Sequence, residues 1–309
     1  MLPFPTPFDA GGEVDFAALR HNLARWRDTG VTGFVALGST GERVHLDEAE
    51  TKHVIETARA DVPDALNFVV GVGRHDTRGT IAEARRAADL GADFVLVITP
   101  HFYRGAMTAD ALAEYYERVA DASPAPALIY SIPQNTGVTL APEAVGRLSR
   151  HENIAGLKES SGDMLAFGEM LRAAAGAEFA MLTGHGSAVF AALASGGGGA
   201  ILAVACCAPR FCVALAGAVG SGDYARAREM QDKLAPLARA VTTRFGVGGL
   251  KAALDLAGYR GGLVRAPLRM PDESARNEIA RLLVEVEAAT ETAGASGEDG
   301  AHASRGAAQ

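Results

Sequence analysis

Cysteine is scarce in this chain: Cys206, Cys207 and Cys212 are the three in 309 residues, and all sit in one apolar run. Two adjacent cysteines and a close third make neither a disulfide framework nor a zinc spacing, so they read as small core residues in a reducing compartment. Positive charge is also short. Twenty-nine Lys and Arg against 37 Asp and Glu leave a net charge of −8 with no basic stripe, which argues against nucleic acid as a partner. No apolar run is long enough to span a bilayer, and "MLPFPTPFDAGGEVD" lacks the basic-then-apolar order of a signal peptide. A cytoplasmic location and no membrane partner are therefore expected. Several motifs are missing as well: no GxGxxG follows the first strand-like run, the eight histidines form no HxH or HExxH pattern, and there is no GxSxG elbow. These absences count against dinucleotide binding, a metal site and a serine hydrolase. The expectation is a small-molecule partner, with no cofactor and no metal.

What is abundant is apolar sequence in short runs. Hydrophobic residues make up 48% of the chain and charged residues 21%, ample for a large core. β-rich runs at 33–39, 67–73, 94–100, 127–133, 154–160, 179–184 and 200–205 alternate with amphipathic helical patterns, and "LPFPTPF" at the start adds an eighth. Near-continuous apolar strands, each followed by a helix, predict a (β/α)8 TIM barrel of the α/β class rather than an open sheet. The barrel is expected over 1–222, a C-terminal helical extension over 223–290, and a tail without structure over 291–309, where small polar residues dominate.

Active sites of such barrels lie at the C-terminal ends of the strands. "GSTGE" ends the second strand, and Ser39 and Thr40 between glycines suit either a tight turn or a carboxylate cradle. "YSIPQNTG" ends the fifth, with Tyr130 either a satisfied core tyrosine or a proton relay. "NIAGLKESSGD" covers the sixth strand and its end. Alternation there puts Ile154, Gly156, Lys158 and Ser160 on one face and Ala155, Leu157 and Glu159 on the other. A lysine at a strand end often snorkels to water. One that points into a dry barrel is different, because desolvation favours the neutral amine that attacks carbonyls.

Taken together and in order, "GSTGE", "YSIPQNTG" and "NIAGLKESSGD" resemble the dihydrodipicolinate synthase and N-acetylneuraminate lyase family of pyruvate-dependent class I aldolases. The resemblance runs from "PFPTPFDAGGEVD" to "GYRGGLVRAPLRMP". It implies the same barrel, a homotetramer built as a dimer of dimers, and a 2-oxo acid substrate. It also implies that Lys158 forms a Schiff base, that Tyr130 moves protons, that Ser39 and Thr40 hold the substrate carboxylate, and that the backbone carbonyl near Ile201 faces the substrate. In the synthase an arginine stands where this chain has Asn135, and it binds the second carboxylate of aspartate semialdehyde. A tyrosine borrowed across the dimer aligns with Phe102, with Tyr103 next to it as the substitute. These departures, with "TPHFYRG" and "RFGVGGLKAALDLAGYRGGLVRAPL", point toward the 4-hydroxy-2-oxoglutarate aldolase branch, which releases pyruvate and glyoxylate. Asn135 and Ser160 are then the expected contacts for the distal end of the substrate. The alternatives are dihydrodipicolinate synthesis, a 2-keto-3-deoxy sugar acid aldolase or dehydratase, and a catalytically weak ligand-binding barrel.

Overall fold

Eight short parallel strands pair in strict chain order: β1 Leu2–Pro3, β2 Gly33–Ala36, β3 Asn67–Val72, β4 Phe94–Ile98, β5 Ala127–Ser131, β6 Ile154–Glu159, β7 Ala180–Thr183 and β8 Gly199–Ala200. This is a computed structural model, and it describes residues 1–303, with side chains through residue 289. The Met1 amino group donates to the Ala200 carbonyl at 2.7 Å and the Leu202 amide to the Met1 carbonyl at 3.3 Å, so the last strand meets the first. The fold is a (β/α)8 barrel.

The helices between the strands start where the sequence supplies a cap. Asp47 accepts from the Glu50 amide at 2.8 Å while Glu50 accepts from the Asp47 amide at 3.0 Å, a reciprocal capping box that opens the helix Glu48–Asp61. Asp76, Thr108 and Asp163 cap the helices after β3, β4 and β6 in the same way, each with a side-chain oxygen accepting a first-turn amide. Strand alternation then divides the apolar residues into two sets. Val35, Val69, Leu96, Leu128, Tyr130, Leu182 and Ile201 point inward and fill the barrel. The residues between them, such as Phe34, Phe68, Val95, Ile129 and Leu157, face the ring of helices.

Two expectations need correction. The run at 200–205 is strand only at Gly199–Ala200, and from Ala203 to Cys206 it coils into a 3-10 turn; a short apolar run carries no period that separates the two states. In β6 the predicted alternation holds from Gly156 onward but fails before it. The pairing slips between Ala127 and Leu128, so that Ala127 faces Ile154 while Leu128 faces Gly156. This extra residue turns Ile154 toward the helices and brings Ala155 against the barrel interior.

Beyond the eighth unit come the helices Tyr224–Arg239, Gly246–Leu256 and Glu273–Ala303. Leu234, Leu237, Leu250, Leu254, Ile279 and Leu282 join the same core as the barrel's outer face. The expected tail falls on the end of the last helix, beyond the described side chains, and on residues 304–309, outside the described residues.

Candidate active site

Polar side chains gather at the C-terminal end of the barrel, among them buried Thr99, Lys158, Ser160 and Thr183 and the partly buried Ser39. Lys158 is 4% exposed and lies in register with Tyr130 on one side and Leu182 on the other. Its Nζ sits 4.2 Å from the centroid of the Tyr130 ring. The Tyr130 hydroxyl is 2.8 Å from Ser39 Oγ, so three residues from three strand ends form one continuous contact. The Tyr130 backbone is fixed too, because its carbonyl accepts from the Thr99 hydroxyl at 3.0 Å and the Thr99 amide at 3.2 Å. Tyr116 donates to that same threonine oxygen at 3.1 Å.

The amine has room because of glycine. A Cβ on Gly184 would stand 1.9 Å from Ser160 Oγ and 2.9 Å from Lys158 Cε, so only hydrogen fits there. The Ser160 hydroxyl is buried beside Lys158 and has no hydrogen-bond partner, and the same is true of His185 Nδ1 on the loop after β7. A buried polar atom without a partner costs about 1–3 kcal/mol, which a bound oxygen-rich molecule would recover. The His185 ring packs on Gly162, and burial, with Arg239 nearby, lowers its pKa from the ordinary histidine value, favouring the neutral imidazole. Sequence patterns passed over His185 because no motif surrounds it; its position after a strand end was the available signal.

Ser39 and Thr40 lie in a single 3-10 turn, Ser39–Gly41. Among the described residues only Leu37 and Glu42 combine a side chain with a positive φ, at 57° and 53°, and they bracket this turn. Left-handed backbone at a residue with a Cβ costs energy and concentrates at functional sites. Ser39 therefore contacts Tyr130 as well as lining the turn.

The other expected residues scatter. Ile201 is fully buried, its side chain in the barrel interior and its amide on the Thr183 carbonyl at 2.9 Å. Asn135 is exposed, whereas its neighbour Gln134 donates to the Ser160 and Ser161 carbonyls at 2.8 and 3.0 Å and ties the β5 loop to the end of β6. Tyr103 stands 70% exposed with its ring 5.1 Å from Phe102, outside the buried group of Lys158, Tyr130 and Ser160. Arg104 is a cation that sequence reading missed: its guanidinium lies against Gly137, where a Cβ would come within 2.7 Å of Nη1.

Another lysine is buried nearby, but it is committed. Lys251 Nζ lies 2.6 Å from Glu42 Oε1 and donates to the Leu263 carbonyl at 2.6 Å. Lys158 instead stacks on the Tyr130 ring.

Comparison with known proteins places the chain in a family. The model of the dihydrodipicolinate synthetase family matches residues 1–286. The chain belongs to the dihydrodipicolinate synthetase family. It is a class I aldolase-type carbon–carbon lyase, as members of this family are. It is 37% identical to a 4-hydroxy-tetrahydrodipicolinate synthase of Methanothrix thermoacetophila, over 87% of this chain and 90% of that one. It is 36% identical to one from Nitrobacter hamburgensis, over 85% and 88% respectively. Among solved structures it resembles the dihydrodipicolinate synthase of Thermotoga maritima, with a TM-score of 0.86 and 29% identity over 93% of this chain and 97% of that one. It also resembles a prophage member of the family from E. coli K12 in complex with pyruvate, with a TM-score of 0.85 and 29% identity over 93% and 98%. The expected 4-hydroxy-2-oxoglutarate aldolase branch finds no support in the two sequence relatives, which carry the name of the synthase. Asn135, Phe102 and the stretches "TPHFYRG" and "RFGVGGLKAALDLAGYRGGLVRAPL" suggested that branch, but these local features weigh less than identity along the whole barrel.

Proposed function

We propose that this protein forms a Schiff base between Lys158 and pyruvate and adds the resulting enamine to a short aldehyde that itself carries a carboxylate. The observation that carries the proposal is the continuous contact running from buried Lys158 through Tyr130 to Ser39. The Lys158 amine adds to the ketone carbon, water leaves, and an iminium forms. Tyr130 accepts the proton lost from the methyl carbon, with the Ser39 hydroxyl as the next stop, and the enamine carbon attacks the aldehyde. The aldehyde oxygen takes up a proton as the new bond forms, and water then releases the product from Lys158. The Ser39–Gly41 turn, with Thr40, holds the pyruvate carboxylate so that the ketone reaches near-attack geometry. Ser160 and the Ile201 carbonyl complete the walls.

The relatives favour aspartate semialdehyde, the acceptor of the synthase. Arg104 against Gly137 supports this reading, since it brings a guanidinium near the place where Asn135 has replaced the synthase arginine. Asn135 itself supports a second reading, in which the acceptor is glyoxylate and the reverse reaction cleaves 4-hydroxy-2-oxoglutarate. A panel of aldehydes offered with pyruvate separates the two: aspartate semialdehyde should give the highest kcat/KM, and a clear preference for glyoxylate would reverse the choice. A homotetramer and a cytoplasmic location complete the proposal. Phe102 and Tyr103, both 70% exposed with their rings 5.1 Å apart, offer an apolar pair for a second copy, and the three buried free cysteines suit a reducing compartment.

A further inference from the structure

The residues that the chemistry leaves unused converge on Glu42, directly after the carboxylate turn. Glu42 is left-handed, and its amide donates to the Ser39 carbonyl at 3.2 Å, closing that turn from one side. The Thr6 hydroxyl closes it from the other, donating to the Gly41 carbonyl at 2.7 Å. The Glu42 side chain is buried and meets groups from three parts of the chain. His45 Nδ1 and the Arg265 amide each lie 3.1 Å from Oε2, and Lys251 Nζ is 2.6 Å from Oε1, close but poorly aligned for a hydrogen bond.

Lys251 is itself fully buried on the helix Gly246–Leu256, with its Nζ 4.5 Å from the centroid of the Phe8 ring. Arg265 lies over the same ring at 4.4 Å and binds Glu50 and the carbonyls of His45 and Gly12. The Leu263 amide donates to the Phe8 carbonyl at 2.8 Å. Thus "PFPTPF" at one end of the chain and "GGLVRAP" at the other are laced together around one carboxylate.

A buried ion pair is a poor source of stability, since desolvating two charges largely cancels their attraction. What a fixed partner can supply is a direction for Glu42, whose positive φ of 53° is a costly backbone conformation for a residue with a Cβ. We infer that Glu42 and Lys251 are positioning residues that lock the Ser39–Gly41 turn in its carboxylate-binding shape, making the C-terminal helices part of the pyruvate site. The inference rests on the reading that this turn holds the pyruvate carboxylate.

The test uses the full chain and measures pyruvate trapping by borohydride as a function of pyruvate concentration. Lys251→Met removes the cation but strands a buried charge, so the double variant Glu42→Gln with Lys251→Met, which strands none, is measured beside it. The expected result is a pyruvate concentration for half-maximal trapping raised by about ten-fold or more, the scale of one lost charge-assisted hydrogen bond, with full yield on Lys158 at saturation. A folded double variant that traps at the wild-type concentration, or that loses yield at saturation with no change in half-saturation, overturns the inference. Thr40→Ala separates the two levels. If it raises half-saturation while the double variant does not, the inference fails and the carboxylate reading stands; if Thr40→Ala leaves half-saturation unchanged, the carboxylate reading fails.

Discussion

Gly184→Ala is the sharpest test of how the amine is held. The new Cβ would come 1.9 Å from Ser160 Oγ, 2.9 Å from Lys158 Cε and 3.0 Å from Ser160 Cβ. Rotating the serine hydroxyl away relieves the first clash but not the other two, so the Lys158 tail and the end of β6 must both retreat. Overpacking of this kind costs about 1–3 kcal/mol. For a domain of this size that lowers Tm by roughly 2–4 °C per kcal/mol. The effect on chemistry should be larger, because displacing a nucleophile by a fraction of an ångström to an ångström costs up to about 10²-fold in rate. The assay pairs steady-state kcat/KM with the rate of borohydride trapping at saturating pyruvate, and both should fall while the circular dichroism spectrum holds. Gly217→Ala is the control: it lies in the helix Pro209–Gly220 with nothing within 4 Å of a new Cβ, and should be neutral or stabilising by about 0.5–1 kcal/mol. A Gly184→Ala protein with wild-type turnover would refute the packing argument.

Tyr130→Phe removes the hydroxyl 2.8 Å from Ser39 and should cut turnover by about 10²-fold or more while imine trapping survives; unchanged turnover would take Tyr130 out of the proton path. Arg104→Ala should raise KM for the carboxylated aldehyde by about ten-fold and leave pyruvate half-saturation alone, so an effect on pyruvate alone would misplace that guanidinium. Stability should also depend on pH through Lys251, whose pKa burial pulls down from 10.5 to about 8. Between those values the unfolded chain binds more protons than the folded one, so raising the pH favours the folded state. In urea melts the wild type should gain on Lys251→Met from about pH 8 upward; a gap that stays flat or narrows would contradict the shift.

Much of this fold was legible because parallel barrel strands are buried on both faces and so read as apolar runs between helical patterns. The strand ends also gave Lys158, Tyr130 and Ser39, since the architecture assigns chemistry to that end. What escaped depends on contacts that no local pattern encodes. A period of two cannot register the extra residue before Gly156, so Ile154 and Ala155 were assigned to each other's faces. Glu42 and Lys251 meet across most of the chain, and His185 takes its place from Gly162 on a different loop. Arg104 was passed over because its importance lies in its nearness to Gly137, a fact of loop geometry. The resemblance gave the family correctly and a branch that the relatives do not support, because the branch rested on Asn135, Phe102 and a few loop and late-chain stretches rather than on the barrel as a whole.

Everything proposed for the site depends on Lys158 being the Schiff-base amine. Borohydride reduction of the protein in the presence of pyruvate, followed by peptide mapping, addresses it directly. One reduced pyruvyl adduct is expected, on the peptide that carries Lys158, and none in Lys158→Arg. A label on Lys251, or an unmodified protein at saturating pyruvate, would contradict it.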